Sequence, residues 1–190
     1  MERLGKINKV DIYYLHWDDP KREFYLEWLP DKIFALFVIA DDEHRRDDYK
    51  KMAGFFVNKK VIEVNSSDKE YDLIHDIFDR ATINKEVSEG RDHTHSDFLE
   101  GTATTNGWDN FNQGFWMTTE IVEFDPVDEI ICIDFTQRRV RKYLKQITKI
   151  VRKGWSPRSH FYWVIPPKYP IYDDEIKKPL RKSQKGFEKD

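Results

Sequence analysis

Cysteine is nearly absent from this chain of 190 residues: Cys132 stands alone. An internal disulfide is therefore excluded, and a reducing compartment, the cytoplasm, is the expectation. The surrounding "EIICIDF" reads as a buried strand, so Cys132 is read as a small core residue rather than a nucleophile. Long apolar runs are missing too. The longest is Ile33 to Ala40, "IFALFVIA", far short of the ~20 residues a membrane-spanning helix needs. The opening "MERLGKINKVD" has no apolar core of the signal-peptide kind. No glycine-rich loop precedes a helix at P-loop spacing, so a nucleoside triphosphate site is not indicated. No internal repeat is visible.

What is present is a core and a heavily ionised surface. Hydrophobic residues make up 39% of the chain, aromatics 15% and charged residues 35%, which fits one globular domain with a tail. The net charge of −3 conceals a split: residues 1–135 carry −14 and residues 136–190 carry +11. Such a split predicts a two-faced surface or a basic tail.

Val10 to Trp17, "VDIYYLHW", predicts a strand ending in Asp18-Asp19-Pro20, with a short helix over Lys21 to Leu29. Ile33 to Ala40 reads as a strand buried on both faces, as in a parallel sheet. Asp41 to Val57 reads as a helix, with Tyr49, Met52, Ala53 and Phe56 on one face and an acidic first turn. Lys60 to Asn65 follows as a strand. Ser67 to Ala81 reads as a helix opened by a Ser67/Glu70 capping box, with Leu73, Ile74, Ile77, Phe78 and Ala81 as its stripe. Residues 82–114, rich in Thr, Asn, Gly, Asp and His, read as a long loop. Phe115 to Glu123 and Ile130 to Phe135 read as strands, and Thr136 to Lys153 as a helix stopped by Gly154. His160 to Ile165 reads as a last strand. From Pro166 the chain is Pro- and Lys-rich, an extended tail.

The order predicts an α/β fold over residues 1–165: a three-layer sandwich around a mainly parallel, or mixed, sheet of five to six strands. Ligands of such folds gather beyond the carboxyl ends of the strands. Here those ends carry Asp18-Asp19, Asp41-Asp42, Asn65-Ser66-Ser67 and Asp134-Phe135-Thr136. Ordinary helix capping explains most of that rim.

Four groups of residues are candidates for function. In "RDHTHSD" an extended backbone would turn His93, His95 and Asp97 to one side, a donor set suited to a divalent cation, zinc or manganese. "HDIFD" adds His75, Asp76 and Asp79, with His75 and Asp79 one helical turn apart. Together they would bind a water that the metal acidifies for hydrolysis. "GWDNFNQGFW" offers Trp108 and Phe111 for stacking on a base or sugar. The helix after residue 136 carries Arg138, Arg139, Arg141, Lys142, Lys145, Lys149, Arg152 and Lys153 with no acid among them. That cationic face suits an acidic protein surface or head-to-tail self-association. It suits nucleic acid less, because the first 135 residues are acid-rich.

The H-x-H-x-D string resembles ligand motifs of metallo-β-lactamase-type hydrolases, and "HTHSD" the opening motif of PHP-type metal phosphoesterases. It departs from both: "EVSEGRD" stands where a hydrophobic strand should precede, and Phe98 where the first family has a further histidine. JAMM-type peptidases share H-x-H but need a downstream Ser-x-x-Asp, where this chain has Asn106-Gly107-Trp108-Asp109. From "FALFVIADD" through "LIHDIFDRA" to "FWMTT", roughly Phe34 to Phe135, the chain resembles a family of small bacterial α/β proteins without an assigned activity. It differs at Glu120-Ile121, where that family has an aromatic residue and a histidine. The resemblance implies fold class and an intracellular origin only. The expectation is thus a soluble binding or regulatory module acting through protein contacts, in a setting such as bacterial immunity. The alternative is a metal-dependent phosphoesterase or nuclease.

Overall fold

The computed structural model describes residues 1–27, 29, 31–90, 103–138 and 140–157. A six-stranded sheet runs in the order β1-β2-β6-β3-β4-β5. Its strands are β1 (Glu2–Ile7), β2 (Val10–His16), β3 (Ile33–Ile39), β4 (Lys60–Ser67), β5 (Thr104–Trp108) and β6 (Glu129–Asp134). β1 pairs antiparallel with β2, and every other pairing is parallel. The α/β class and the mixed, mostly parallel sheet are as the alternation predicts.

The central strands explain their own position. β6 is buried at all six positions and β3 at six of seven, the pattern of strands covered on both faces. Residues of alternate parity then feed two cores. Leu36, Val38, Ile131 and Ile133 face α1 (Arg22–Glu27), α2 (Arg46–Phe56) and α3 (Tyr71–Ser88). Ala35, Phe37, Ile130 and Cys132 face α4 (Phe111–Glu120) and α5 (Arg141–Val151). Full burial of each large side chain contributes ~1.5–3 kcal/mol. Phe37 fills the second core between Phe111 and Phe115, with ring centroids 5.1 and 5.6 Å away. Cys132 is fully buried, and burial pushes its thiol pKa upward, so it is inert as a nucleophile in the folded chain.

Several elements differ from the sequence reading. β1 was not expected. It folds back on β2 through Asn8-Lys9, both at positive φ (45° and 76°), the geometry of a two-residue hairpin turn made here without glycine. Residues 82–114 are not one loop. α3 continues to Ser88, β5 adds an edge strand, and α4 starts at Phe111. α3 outlives its apolar stripe because Lys85 ties its end to the carbonyl of Val57 at 2.5 Å.

Phe115 to Glu123, read as a strand, is the end of α4 and a 3-10 turn at Ile121–Glu123. Asn110 caps α4 by accepting from the Gln113 N–H at 3.1 Å, and Phe111, Phe115, Thr118 and Thr119 share its buried side. Tertiary packing here overrides aromatic and β-branched strand preference.

The Ser67/Glu70 capping box does not form. Ser67 stays in β4 with its buried hydroxyl unpartnered among the described residues, Asp68 turns at φ 82°, and α3 starts at Tyr71. The helix expected from Asp41 begins as a 3-10 turn, Glu43–Arg45, capped by Asp42, and becomes α2 at Arg46. The expected strand His160 to Ile165 and the tail from Pro166 lie outside the described residues.

Candidate functional site

The chain leaves β2 and β3 for helices on the first face and leaves β6 for α5 on the second. Neighbouring strands whose connections diverge open a crevice at their carboxyl ends, where ligands of open α/β sheets bind. β6 therefore has a crevice on each side. On the β3 side, Arg45 fills it. Its guanidinium donates to Asp18 (3.0 and 2.5 Å), to Asp48 (3.3 and 3.0 Å) and to the carbonyl of Phe135 (3.0 Å). Hydrogen bonding to Arg45 holds the Asp18 carboxyl below the usual carboxylate range. One side chain thus joins the loops after β2, β3 and β6.

On the β2 side the crevice is open. It is a cleft of about 810 Å³ lined by Met1, Glu2, Tyr14, His16, Asp18, Asp19, Pro20, Tyr25, Arg138, Arg141 and Lys142. Asp134, fully buried, builds the floor. One carboxylate oxygen accepts from the Tyr14 hydroxyl (2.7 Å) and the Val140 N–H (3.0 Å). The other accepts from the N–H and the hydroxyl of Thr136 (both 2.8 Å). Those bonds fix the start of α5 over the end of β2. His16 adds a second tie. Its Nδ1 accepts from the Asp18 N–H (3.2 Å), so its proton is on Nε2, donated to the Thr136 carbonyl (3.0 Å).

The α5 wall of the cleft is cationic. Arg141 pairs with Glu2, and Arg138 reaches away to Asp68 and to Asp41 (3.8 Å). Burial pushes the Asp68 carboxyl up, against the pull of Arg138. Lys142 is exposed and makes no ion pair among the described residues. Its position at the start of α5 adds the positive end of the helix dipole.

The expected site residues separate. His93, His95, Asp97 and Arg139 lie outside the described residues. His75 sits on α3 with Nδ1 3.6 Å from Asp79 and 3.8 Å from Asp76. Asp79 also accepts the Thr105 hydroxyl. Among the described residues no three His, Cys, Asp or Glu side chains are grouped to hold a metal ion.

Phe111 is 4% exposed and its ring packs on Phe37 and Tyr143, so it has no free face for a ligand. Trp108 lies on β5 and donates its indole N–H to Asn65 at 2.6 Å. Of the cationic group, Arg138, Arg141 and Lys142 meet at the cleft, while Lys145 and Lys149 continue along the exposed side of α5. Tyr14, His16 and Tyr25 carried no motif. Asp18-Asp19 and Asp134, at the carboxyl ends of β2 and β6, border or floor the cleft.

Compared with protein-family models, with curated proteins and with solved structures, the chain matches none. Function here rests on the geometry alone. No helix among the described residues is long and apolar enough to cross a membrane.

Proposed function

We propose that the protein is a binding module that holds a small anionic ligand, a phosphate or carboxylate compound, in the cleft between β2 and the start of α5. The observation that carries this reading is the cleft itself: about 810 Å³, with Arg138, Arg141 and Lys142 on one wall. It lies at the crevice where diverging connections usually place ligands. Of its three acids, Asp18 is neutralised by Arg45, Glu2 is paired with Arg141 and Asp19 accepts the Lys21 N–H, and Lys142 with the helix terminus offers the positive charge that meets an incoming anion. A ligand oxygen would exchange with Glu2 at the Arg141 guanidinium, whose fork suits phosphate and carboxylate alike.

The role is recognition rather than chemistry. The groups best suited to proton transfer are committed: His16 uses both ring nitrogens and Asp134 accepts four hydrogen bonds. The hydrolase alternative rests on His93, His95 and Asp97, outside the described residues. Its other half, His75 with Asp76 and Asp79, stands on α3, away from the cleft.

Thermal melting and calorimetric titration with inorganic phosphate, a nucleoside monophosphate and a dicarboxylate test this. A ligand at a hundred times its Kd stabilises by about 2.7 kcal/mol, which for a chain of this size raises Tm by about 5–10 °C. The Arg141→Ala/Lys142→Ala variant should lose that rise. If no probe raises Tm, or the rise survives in the variant, the proposal fails.

A further inference from the structure

We infer that the chain assembles head to tail with copies of itself, through a cationic stripe on α5 and an acidic stripe on α3. It shares one residue, Lys142, with the cleft. On α5 the stripe is Lys142, Lys145 and Lys149, all exposed. On α3 it is Asp72, Asp76 and Asp79, with Asp76 63% and Asp79 44% exposed. α3 belongs to the first face, over β4 and β5, and α5 to the second face, against β1. The stripes therefore look outward from opposite layers and opposite sheet edges, so they cannot meet within one chain.

Their spacings match. The outer residues of each stripe are seven apart, about 10.5 Å along the axis at ~1.5 Å per residue. The middle residues differ by one position, about 1.5 Å. At ~100° per residue, Lys145 falls about 60° to one side of Lys142, and Asp76 about 40° to the other side of Asp72. Two helices that face each other with parallel axes bring those two sides together. The pairs are then Lys142 with Asp72, Lys145 with Asp76, and Lys149 with Asp79.

α3 runs back between parallel β4 and β5, and α5 runs back from β6, so both run against the strands. The sheet twists by ~20–25° per strand between the two edges, so a copy that lays the outer side of its α5 on the outer side of α3 with axes parallel is turned as well as displaced. Beyond Asp79 the same line continues into Ile83 and Val87, 48% and 59% exposed, which give the contact an apolar end. Arg80 lies about 100° round the helix from Asp79, at the margin of the stripe. A head-to-tail contact of this kind joins unlike surfaces, so the product is a ring or an open chain of copies.

Sedimentation velocity on the full chain tests this, using three variants that keep Arg138, Arg141 and Lys142 of the cleft in place: Lys145→Glu/Lys149→Glu, Asp72→Lys/Asp76→Lys, and all four changes together. Circular dichroism confirms folding of each. The wild type should grow beyond one chain with concentration at ~0.02 M salt and return to one chain at ~0.5 M, where screening shortens the reach of charge severalfold. Each two-site variant alone should remain single. An equimolar mixture of the two, and the four-site variant, should associate again. A wild type that stays single at low salt, two-site variants that still associate, a folded four-site variant that stays single, or growth that requires added nucleic acid would overturn the inference.

Discussion

Replacing Asp134 by asparagine separates the cage beneath α5 from the apolar core around it. The carboxylate is fully buried and accepts four hydrogen bonds, two on each oxygen. Asparagine keeps one acceptor for the N–H and hydroxyl of Thr136. Its amide nitrogen then opposes the Val140 N–H donor to donor, and the Tyr14 hydroxyl must turn to accept a neutral bond, so two charge-assisted bonds are lost. At ~1.5–3 kcal/mol each, the gross loss is ~3–6 kcal/mol. Relief from burying a charge offsets part of it, leaving a net loss of about 2–4 kcal/mol. With a urea m-value of ~2 kcal/mol per M, the unfolding midpoint should fall by about 1–2 M. Tyr14→Phe removes one of the four bonds and should cost about 1.5–3 kcal/mol in the wild-type background. In the Asp134→Asn background it should cost much less, because its partner has changed. Urea unfolding followed by circular dichroism gives all four midpoints. An Asp134→Asn midpoint within about 0.3 M of wild type, or full additivity of the two changes, would refute this account of the cleft floor.

Two further outcomes concern the buried Glu63 on β4 and two exposed glycines, Gly107 on β5 and Gly54 on α2. Glu63 is 7% exposed, and burial pushes its pKa up against the hydrogen bond it accepts from Asn65. The folded state therefore favours the protonated acid. Its contribution is fully present below the ordinary carboxylate pKa and is lost as pH rises through the elevated one. Glu63→Gln should remove that decline and stabilise the protein by on the order of 1 kcal/mol at neutral pH, with little change near pH 4. Urea midpoints across this range check it, and parallel curves for the two proteins would count against it. At Gly107 an added Cβ would sit 2.7 Å from the Tyr71 ring, whereas at Gly54 on α2 it meets nothing within 4 Å. Gly107→Ala should cost about 1–3 kcal/mol and Gly54→Ala should add about 0.5–1 kcal/mol. Differential scanning calorimetry reads the contrast, and equal effects at both sites would sink it.

The sheet was readable wherever burial is two-sided. "IFALFVIA" and "EIICIDF" have no polar alternation because both faces are covered, and that alone identifies parallel strands. β1 and β5 were missed for the opposite reason. They are edge strands with short or polar sequences, "ERLGKI" and "TTNGW", whose pairing comes from the neighbour rather than from their own pattern. α4 was misread because "FWMTTEIVE" carries strand-forming residues, while its true signal, the Asn110 cap, lay just upstream. The cleft was half legible. Its acids and arginines stood out as a rim and a basic helix. That the two meet depends on β6 lying beside β2, a pairing of residues more than a hundred positions apart that no local pattern encodes.

The same pairing fixes the order in which the protein can be made. β6 is the last strand in sequence among the described residues and lies in the middle of the sheet, with β2 on one side and β3 on the other. As the chain is synthesised, the β1-β2 hairpin and the β3-β4-β5 unit can each form early, but each keeps one open strand edge. They become one sheet only when Glu129–Asp134 slides between them. Until then two apolar edges stay open to solvent and to other chains, the exposure through which nascent proteins aggregate. A chain that stops before residue 129 would lack the strand that joins its two halves. Completion of β6 is therefore the step that turns two partial sheets into a folded protein, and it should dominate the refolding time.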